Sequence, residues 1–275
     1  MLDDMTTDAF INALRCFVSI RGAVRTIRCD QGSNFVGARN ELAEAMKELD
    51  EDAISTHLSR NQCDFILNAP HASHTGGIWE RQIRTVRDAL SSTAAMCPGR
   101  LDDSSLRTLF YEAMTLVNNR PLSMSNAGNS HDLEALTPNH LLTMKSATPL
   151  PPPGKFISQD MYLRKRWRRV QFLTEQFWHR WRREYLADIT TRQKWHTQRR
   201  NLKINDIVLV KNNEQGRGEW PLAKVIETTV DDDGLVRRVH VQLGDRGRKG
   251  TDDRRSKTSI LERPIQKLVL LVEGE

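Results

Sequence analysis

Two carboxylates stand out by their settings. Asp30 follows a short apolar-alternating run, Val24, Ile27 and Cys29, and precedes Gly32, Ser33 and Asn34. That pattern predicts an acid at the C-terminal lip of a strand, with a turn beyond it. Glu80 falls in the first turns of a helix predicted to start after Gly76-Gly77. Carboxylates on separate rigid elements suit a hard cation, because Mg²⁺ takes one or two carboxylates and leaves positions for phosphate oxygens. The same residue types also serve as helix caps or solvated charges, and spacing alone leaves both readings open. Asn34 either supports the Asp30 carboxylate or caps a turn. Arg84 and Arg87 lie four and seven positions after Glu80, on the same side of the predicted helix.

The elements that must position these groups follow from periodicity. Phe10, Ala13, Leu14, Phe17 and Val18 share one face of a helix predicted over Asp8–Ile20, with Thr6 or Thr7 as N-cap and Gly22 ending it. A strand leads to Cys29. Further helices are predicted over Asn40–Leu49, Ile78–Ser92 (buried stripe Ile83, Val86, Leu90) and Ser104–Asn118, with a short strand over Cys63–Leu67. The run Thr148–Gly154 is a stiff proline-rich connector. Beyond it Trp167, Val170, Thr174, Phe177, Trp181, Tyr185 and Ile189 recur at helical spacing, in one long helix or two joined over about Gln159–Arg199. Packing is the expected role of its tryptophans rather than base stacking. From Leu202 the period becomes two, with strands over Ile207–Val210, Ala223–Ile226, Val236–Leu243 and Ile265–Val272, which predicts a small antiparallel barrel.

The 275 residues suffice for one large or two modest domains. No apolar run is long enough to span a membrane and no signal-peptide layout is present, so an intracellular, nuclear or cytoplasmic location is expected, with no membrane partner. The four cysteines form no C-x-x-C pair and are expected as reduced thiols. Charge is unevenly spread. The net charge is +6, yet Lys155–Arg200 alone holds thirteen Lys/Arg against four Asp/Glu, including Arg164, Lys165, Arg168, Arg169, Arg182 and Arg183. One basic segment on a mildly acidic protein predicts a polyanion partner, most often nucleic acid.

Four phrases in order carry a resemblance. Asp30-Gln31-Gly32-Ser33-Asn34-Phe35-Val36-Gly37-Ala38, the stretch Pro70–Glu80, Asn119-Arg120-Pro121-Leu122 and Leu136-Thr137-Pro138-Asn139-His140-Leu141-Leu142 resemble the integrases of the BEL/Pao group of LTR retrotransposons. The C-terminal strand phrases are similar to the same group's barrel region. This resemblance implies an α/β fold with a partial ribonuclease-H-like core over residues 1–147, a proline-rich linker and long basic helix over 148–200, and a small β-barrel over 201–275. It implies DNA integration by strand transfer with Mg²⁺ (or Mn²⁺), with Asp30 and Glu80 as the second and third of three catalytic, metal-holding carboxylates. Arg84 and Arg87 would position donor-DNA phosphates, the barrel would bind DNA, and the protein would self-associate. The first aspartate has no match: Asp3 and Asp4 directly precede a helix rather than lying on a strand. The expectation is therefore an N-terminally truncated integrase, with a non-catalytic nucleic-acid-binding role favoured for this chain in isolation over an active enzyme.

Overall fold

A computed structural model describes residues 6–29, 32–47, 64–67, 73–124, 133, 135–144, 151–191, 200–212, 216–244 and 259–274. The chain divides into two compact units, Met1–Arg84 and Thr85–Glu275. Together they make a mixed helix and sheet protein whose largest sheet is five-stranded, antiparallel and open.

In the first unit, α1 (Thr7–Arg21) starts where the Thr6 hydroxyl accepts the Ala9 N–H, and stops at Gly22, whose φ of 91° favours glycine. Its apolar stripe is only half covered, and α1 holds no buried residue. Strand β1 (Thr26–Cys29) pairs in parallel with β2 (Asp64–Leu67), Cys29 opposite Leu67. Helix α2 (Ser33–Lys47) begins seven residues before the expected start. The Gly32 carbonyl accepts the Phe35 and Val36 N–H groups, so the turn expected here is the first turn of the helix. Phe35 meets Phe10 edge-to-face at 4.9 Å, and a Cβ on Gly37 would lie 2.4 Å from the Thr7 hydroxyl. Glycine thus permits the close approach of α1 and α2.

Helix α3 (Ser73–Ala95) also starts earlier than expected and runs through Gly76-Gly77. Two interior glycines cost about 1 kcal/mol each relative to alanine. Extending a nucleated helix through them costs less than nucleating another. Its inward stripe includes Val86, Ala89, Leu90 and Thr93, whereas Ile83 is exposed.

The second unit is built on α6. Helix α4 (Asp103–Asn118) is capped by Asp102 through the Ser105 N–H. A two-residue hairpin, β3 (Ser123–Met124) with β4 (Ala135–Leu136), and the short α5 (Pro138–Thr143) follow. A 3-10 turn, Ser158–Tyr162, then leads into α6 (Arg166–Thr191), 26 residues and roughly 39 Å long. This is one helix, shorter than the stretch expected, and residues 192–199 lie outside the described ones. Its N-terminal half packs Val170, Phe172 and Leu173 against Leu109 of α4 and Met161. Its middle packs Phe177, Trp178, Trp181 and Tyr185 against Ala89 of α3 and Ala113 and Leu116 of α4. Its end lays Leu186 and Ile189 on Leu209, Leu222 and Val269 of the sheet.

That sheet comprises β5 (Ile207–Val210), β6 (Leu222–Val230), β7 (Val236–Leu243), β8 (Ile260–Pro264) and β9 (Leu268–Val272), ordered β8-β7-β6-β5-β9. Alternation sorts its faces. Val208 and Val210 join Val225, Val239, Val241 and Leu268 in one core, while Leu209 between them faces α6. The single strand expected over Ile265–Val272 is a 3-10 turn, Ile265–Lys267, followed by β9. Strand β8 was not foreseen. It is an edge strand with two charges and a terminal proline, the pattern by which sheets blunt their edges and lose their sequence signal.

Trp181 is fully buried among these layers. Trp181→Ala is expected to lower stability by about 3–5 kcal/mol. Ile20→Ala, on the exposed side of α1, is expected to change it by under about 0.5 kcal/mol. Urea unfolding of both variants measures the difference.

Candidate nucleic-acid interface

The carboxylate site is described on one side only. Asp30 lies outside the described residues, directly after the last residue of β1. Glu80 is exposed in the third turn of α3 rather than its first, because the helix begins at Ser73. Arg84 and Arg87 are exposed on the same helix at the expected offsets. Among the described residues no three His, Cys, Asp or Glu side chains gather as a metal site. Asn34 is buried in the first turn of α2. Gly76-Gly77, expected to precede the helix, lie inside the α3 backbone ladder.

The basic residues around α6 separate into two kinds. Arg164, Lys165 and Arg183 are exposed. Arg168 instead grips Asp160, its Nε donating to Oδ1 at 2.7 Å and its Nη2 to Oδ2 at 3.2 Å. A second Nη2 bond reaches the Lys155 carbonyl at 2.9 Å. The Arg168 hydrogen bonds, followed by the Ile157 N–H, hold the buried Asp160 carboxyl below the usual carboxylate range. Arg169 is half-buried and donates to the Leu163 carbonyl at 3.3 Å. Arg182 is buried, its guanidinium 5.9 Å from the Trp178 ring and 5.8 Å from the Trp220 ring, and it donates to the Asn212 carbonyl at 2.8 Å. Burial pushes its pKa down. Arg168 and Arg182 are therefore engaged inside the protein, by one carboxylate and by one ring cage.

Two of the quoted phrases meet in space. Asn139 donates an amide hydrogen bond to Asn119, and the Tyr185 hydroxyl donates to the Pro121 carbonyl at 3.2 Å. Thr137 and His140 form a capping box at the start of α5. These residues tie α4, α5 and α6 together.

Sequence reasoning missed the polar centre of the sheet. Asp206 is fully buried before β5 and accepts both Arg200 Nη groups at 3.0 and 3.1 Å, the Lys203 N–H at 2.8 Å and the Gly274 N–H at 2.9 Å. It joins the approach to β5 to the exit from β9. Only its place in a K-x-x-D phrase before an apolar strand hinted at this. Nearby, a groove of about 620 Å³ is lined by Leu202, Val236, Leu268, Arg200, Arg237 and Arg238, among others. Each of these arginines faces a carboxylate: Arg200 faces Asp206 and Glu273, Arg237 faces Asp231 and Asp233, and Arg238 faces Glu262. Among the described residues, the groove is lined by no positive charge without a carboxylate partner.

Comparison with known families bears on this second unit. Residues 165–271 match a family of unknown function, DUF5641. No curated protein matches the chain. The DUF5641 stretch runs from the residue before α6 to the penultimate residue of β9, so it contains the helix and all five strands. The α3 and α4 residues that cover Phe177, Trp178 and Trp181 precede it. Among the described residues no helix is long and apolar enough to cross a membrane.

The buried Asp206 gives a pH dependence of known sign. Burial alone would raise its pKa, but the Arg200 hydrogen bonds and the Lys203 and Gly274 N–H groups hold it below the ordinary value. A depressed folded pKa contributes stability that is present above the unfolded value, near 3.9, and is lost as pH falls through the folded one. Asp206→Asn is expected to remove that acid-limb loss and to cost about 3–5 kcal/mol at neutral pH, since Arg200 loses its buried partner. Urea denaturation of both proteins between neutral and acid pH checks both parts.

Proposed function

We propose that this chain is a DNA-holding, integrase-like protein of the BEL/Pao type, with Asp30 and Glu80 as two carboxylates of a strand-transfer centre. The observation that carries the reading is the face of α3, where Glu80, Arg84 and Arg87 are all exposed at one-turn intervals. A carboxylate beside two unburied guanidiniums suits a phosphodiester held next to a metal ion. The parallel pair β1 and β2, with Asp30 directly after β1, supports a ribonuclease-H-like arrangement. The sheet order, the two register shifts in β6 and the 3-10 turn linking the edge strands β8 and β9 support a small barrel of the Src-homology type. Exposed Arg164, Lys165 and Arg183 supply cations for the DNA backbone. Self-association and a nuclear or cytoplasmic setting belong to the same proposal.

Mg²⁺ or Mn²⁺ would supply Lewis-acid activation of the attacking oxygen. With Asp30 and Glu80 as the assigned metal-holding carboxylates, DNA binding rather than DNA joining is the activity proposed for this chain. Strand-transfer assays with either metal test this. Joining that disappears in Asp30→Asn or Glu80→Gln would show that both carboxylates take part in catalysis.

Binding has its own test. Arg164→Ala, Lys165→Ala and Arg183→Ala are each expected to weaken duplex affinity across all sequences, and each to reduce the slope of log affinity against log salt by about 0.9. Arg182→Ala is expected to act through stability, lowering the unfolding midpoint. Affinity that ignores both salt and the exposed cations would sink the DNA-holding reading.

A further inference from the structure

The 3-10 turn and the start of α6 display aromatic rings and cations in one continuous stretch, Tyr162–Trp167. Tyr162 is 77% exposed and Trp167 is 49% exposed, whereas Trp178 and Trp181 are buried and Trp220 half-buried. Between the two rings lie Arg164, Lys165 and Arg166, all exposed. The only carboxylate near them in ion-pair range, among the described residues, is Asp102, 3.8 Å from Arg166. The two arginines that follow are scaffolding. Arg168, fixed by Asp160, lies 5.5 Å from the Trp167 ring centroid and 5.4 Å from that of Phe156, which meets Trp167 edge-on at 5.8 Å. Arg169 donates back to the Leu163 carbonyl. Buried Asp160 and Met161 anchor the turn that ends at Tyr162. The Trp167 ring is therefore held in place before any ligand arrives, which lowers the entropy cost of using it, and the anchored turn fixes the backbone from which Tyr162 projects.

We infer that Tyr162 and Trp167 form a stacking platform for unpaired nucleotide bases, with Arg164, Lys165 and Arg166 holding the sugar-phosphate backbone that joins them. Exposed rings interleaved with exposed cations are what single-strand binding requires, since every base offers a π-face and every nucleotide a phosphate. Duplex DNA, with its bases already stacked, cannot use the rings. An anionic membrane would use the same charges, but it also needs a continuous apolar helix face. The stripe of α6 that would provide one, Val170, Leu173 and Phe177, is buried in the core. This inference rests on the DNA-holding reading and adds to it a preference for frayed or single-stranded ends.

The full chain is titrated against a labelled oligothymidine of roughly 12 nucleotides, a duplex of equal length, and vesicles containing phosphatidylserine. Tyr162→Ala and Trp167→Ala are each expected to weaken single-strand binding roughly five- to hundredfold, the effect of one lost base stack, and to leave duplex binding unchanged. Trp167→Phe should retain most of the affinity. Arg164→Ala with Lys165→Ala should weaken binding to both DNAs. Tyr162 makes little contact with the rest of the protein, so its variant reports on binding even if Trp167→Ala unfolds. Equal loss on both DNAs, or no loss on either, would overturn the platform while leaving DNA binding intact. Binding to neither DNA would overturn the functional reading itself, and so would binding to vesicles alone.

Discussion

The second unit depends on keeping the middle of α6 out of water. Phe177, Trp178 and Trp181 are fully buried and Tyr185 nearly so. Each large side chain contributes about 1.5–3 kcal/mol when buried, and no single neighbour covers them all. Helices α3 and α4 cover part of the cluster, and Trp220, just before β6, covers another part. Trp220 meets Trp178, Trp181 and Tyr185 at steep angles, with ring centroids 5.2 to 5.9 Å apart. Helical layer and sheet are thus joined through one aromatic cluster. The DUF5641 stretch contains the helix and Trp220, but not α3 or α4.

Two buried carboxylates fix what the aromatic cluster leaves free. Asp160 holds the turn before α6 through Arg168, and Asp206 holds the closing ends of the sheet through Arg200. Gln171 provides a third polar link. It donates to Glu112 of α4 at 3.0 Å and accepts from the buried Arg217 at 2.6 Å, just ahead of Trp220. Each contact removes an arginine from the pool that net charge counts as basic surface. A segment rich in arginine is therefore less cationic toward a partner than its composition suggests, and its exposed charge without a carboxylate partner among the described residues concentrates at Arg164, Lys165 and Arg183.

Periodicity made most of the elements legible. The stripe Val170, Thr174, Phe177, Trp181, Tyr185 is buried as expected, and β5 and β7 match their expected bounds. Apolar spacing reports a face directed at a core, and these faces were. Gly76-Gly77 and Gly32-Ser33-Asn34 misled because local propensity is worth about 1 kcal/mol per residue and helix continuation outweighs it. Trp167 lies on the same stripe as Phe177 yet is exposed, in the first turn of α6, where Phe156 and Arg168 meet its ring. Of the carboxylate pair, residue order placed Asp30 after a strand and Glu80 on a helix, and both elements are present.

By itself the sequence determined which residues share a helix or strand face, because side-chain direction follows backbone period. It also determined that the carboxylates, the basic segment and the alternating strands come in this order. Tertiary structure alone decided which charges are available. Arg168 and Arg182 stand among other arginines in the sequence and look alike there. Only the approach of Asp160 to one, and of Trp178 and Trp220 to the other, separates them from the exposed Arg164 and Arg183. Ion pairs and ring contacts depend on distances of a few ångströms between residues far apart in the chain, and no local period encodes those distances.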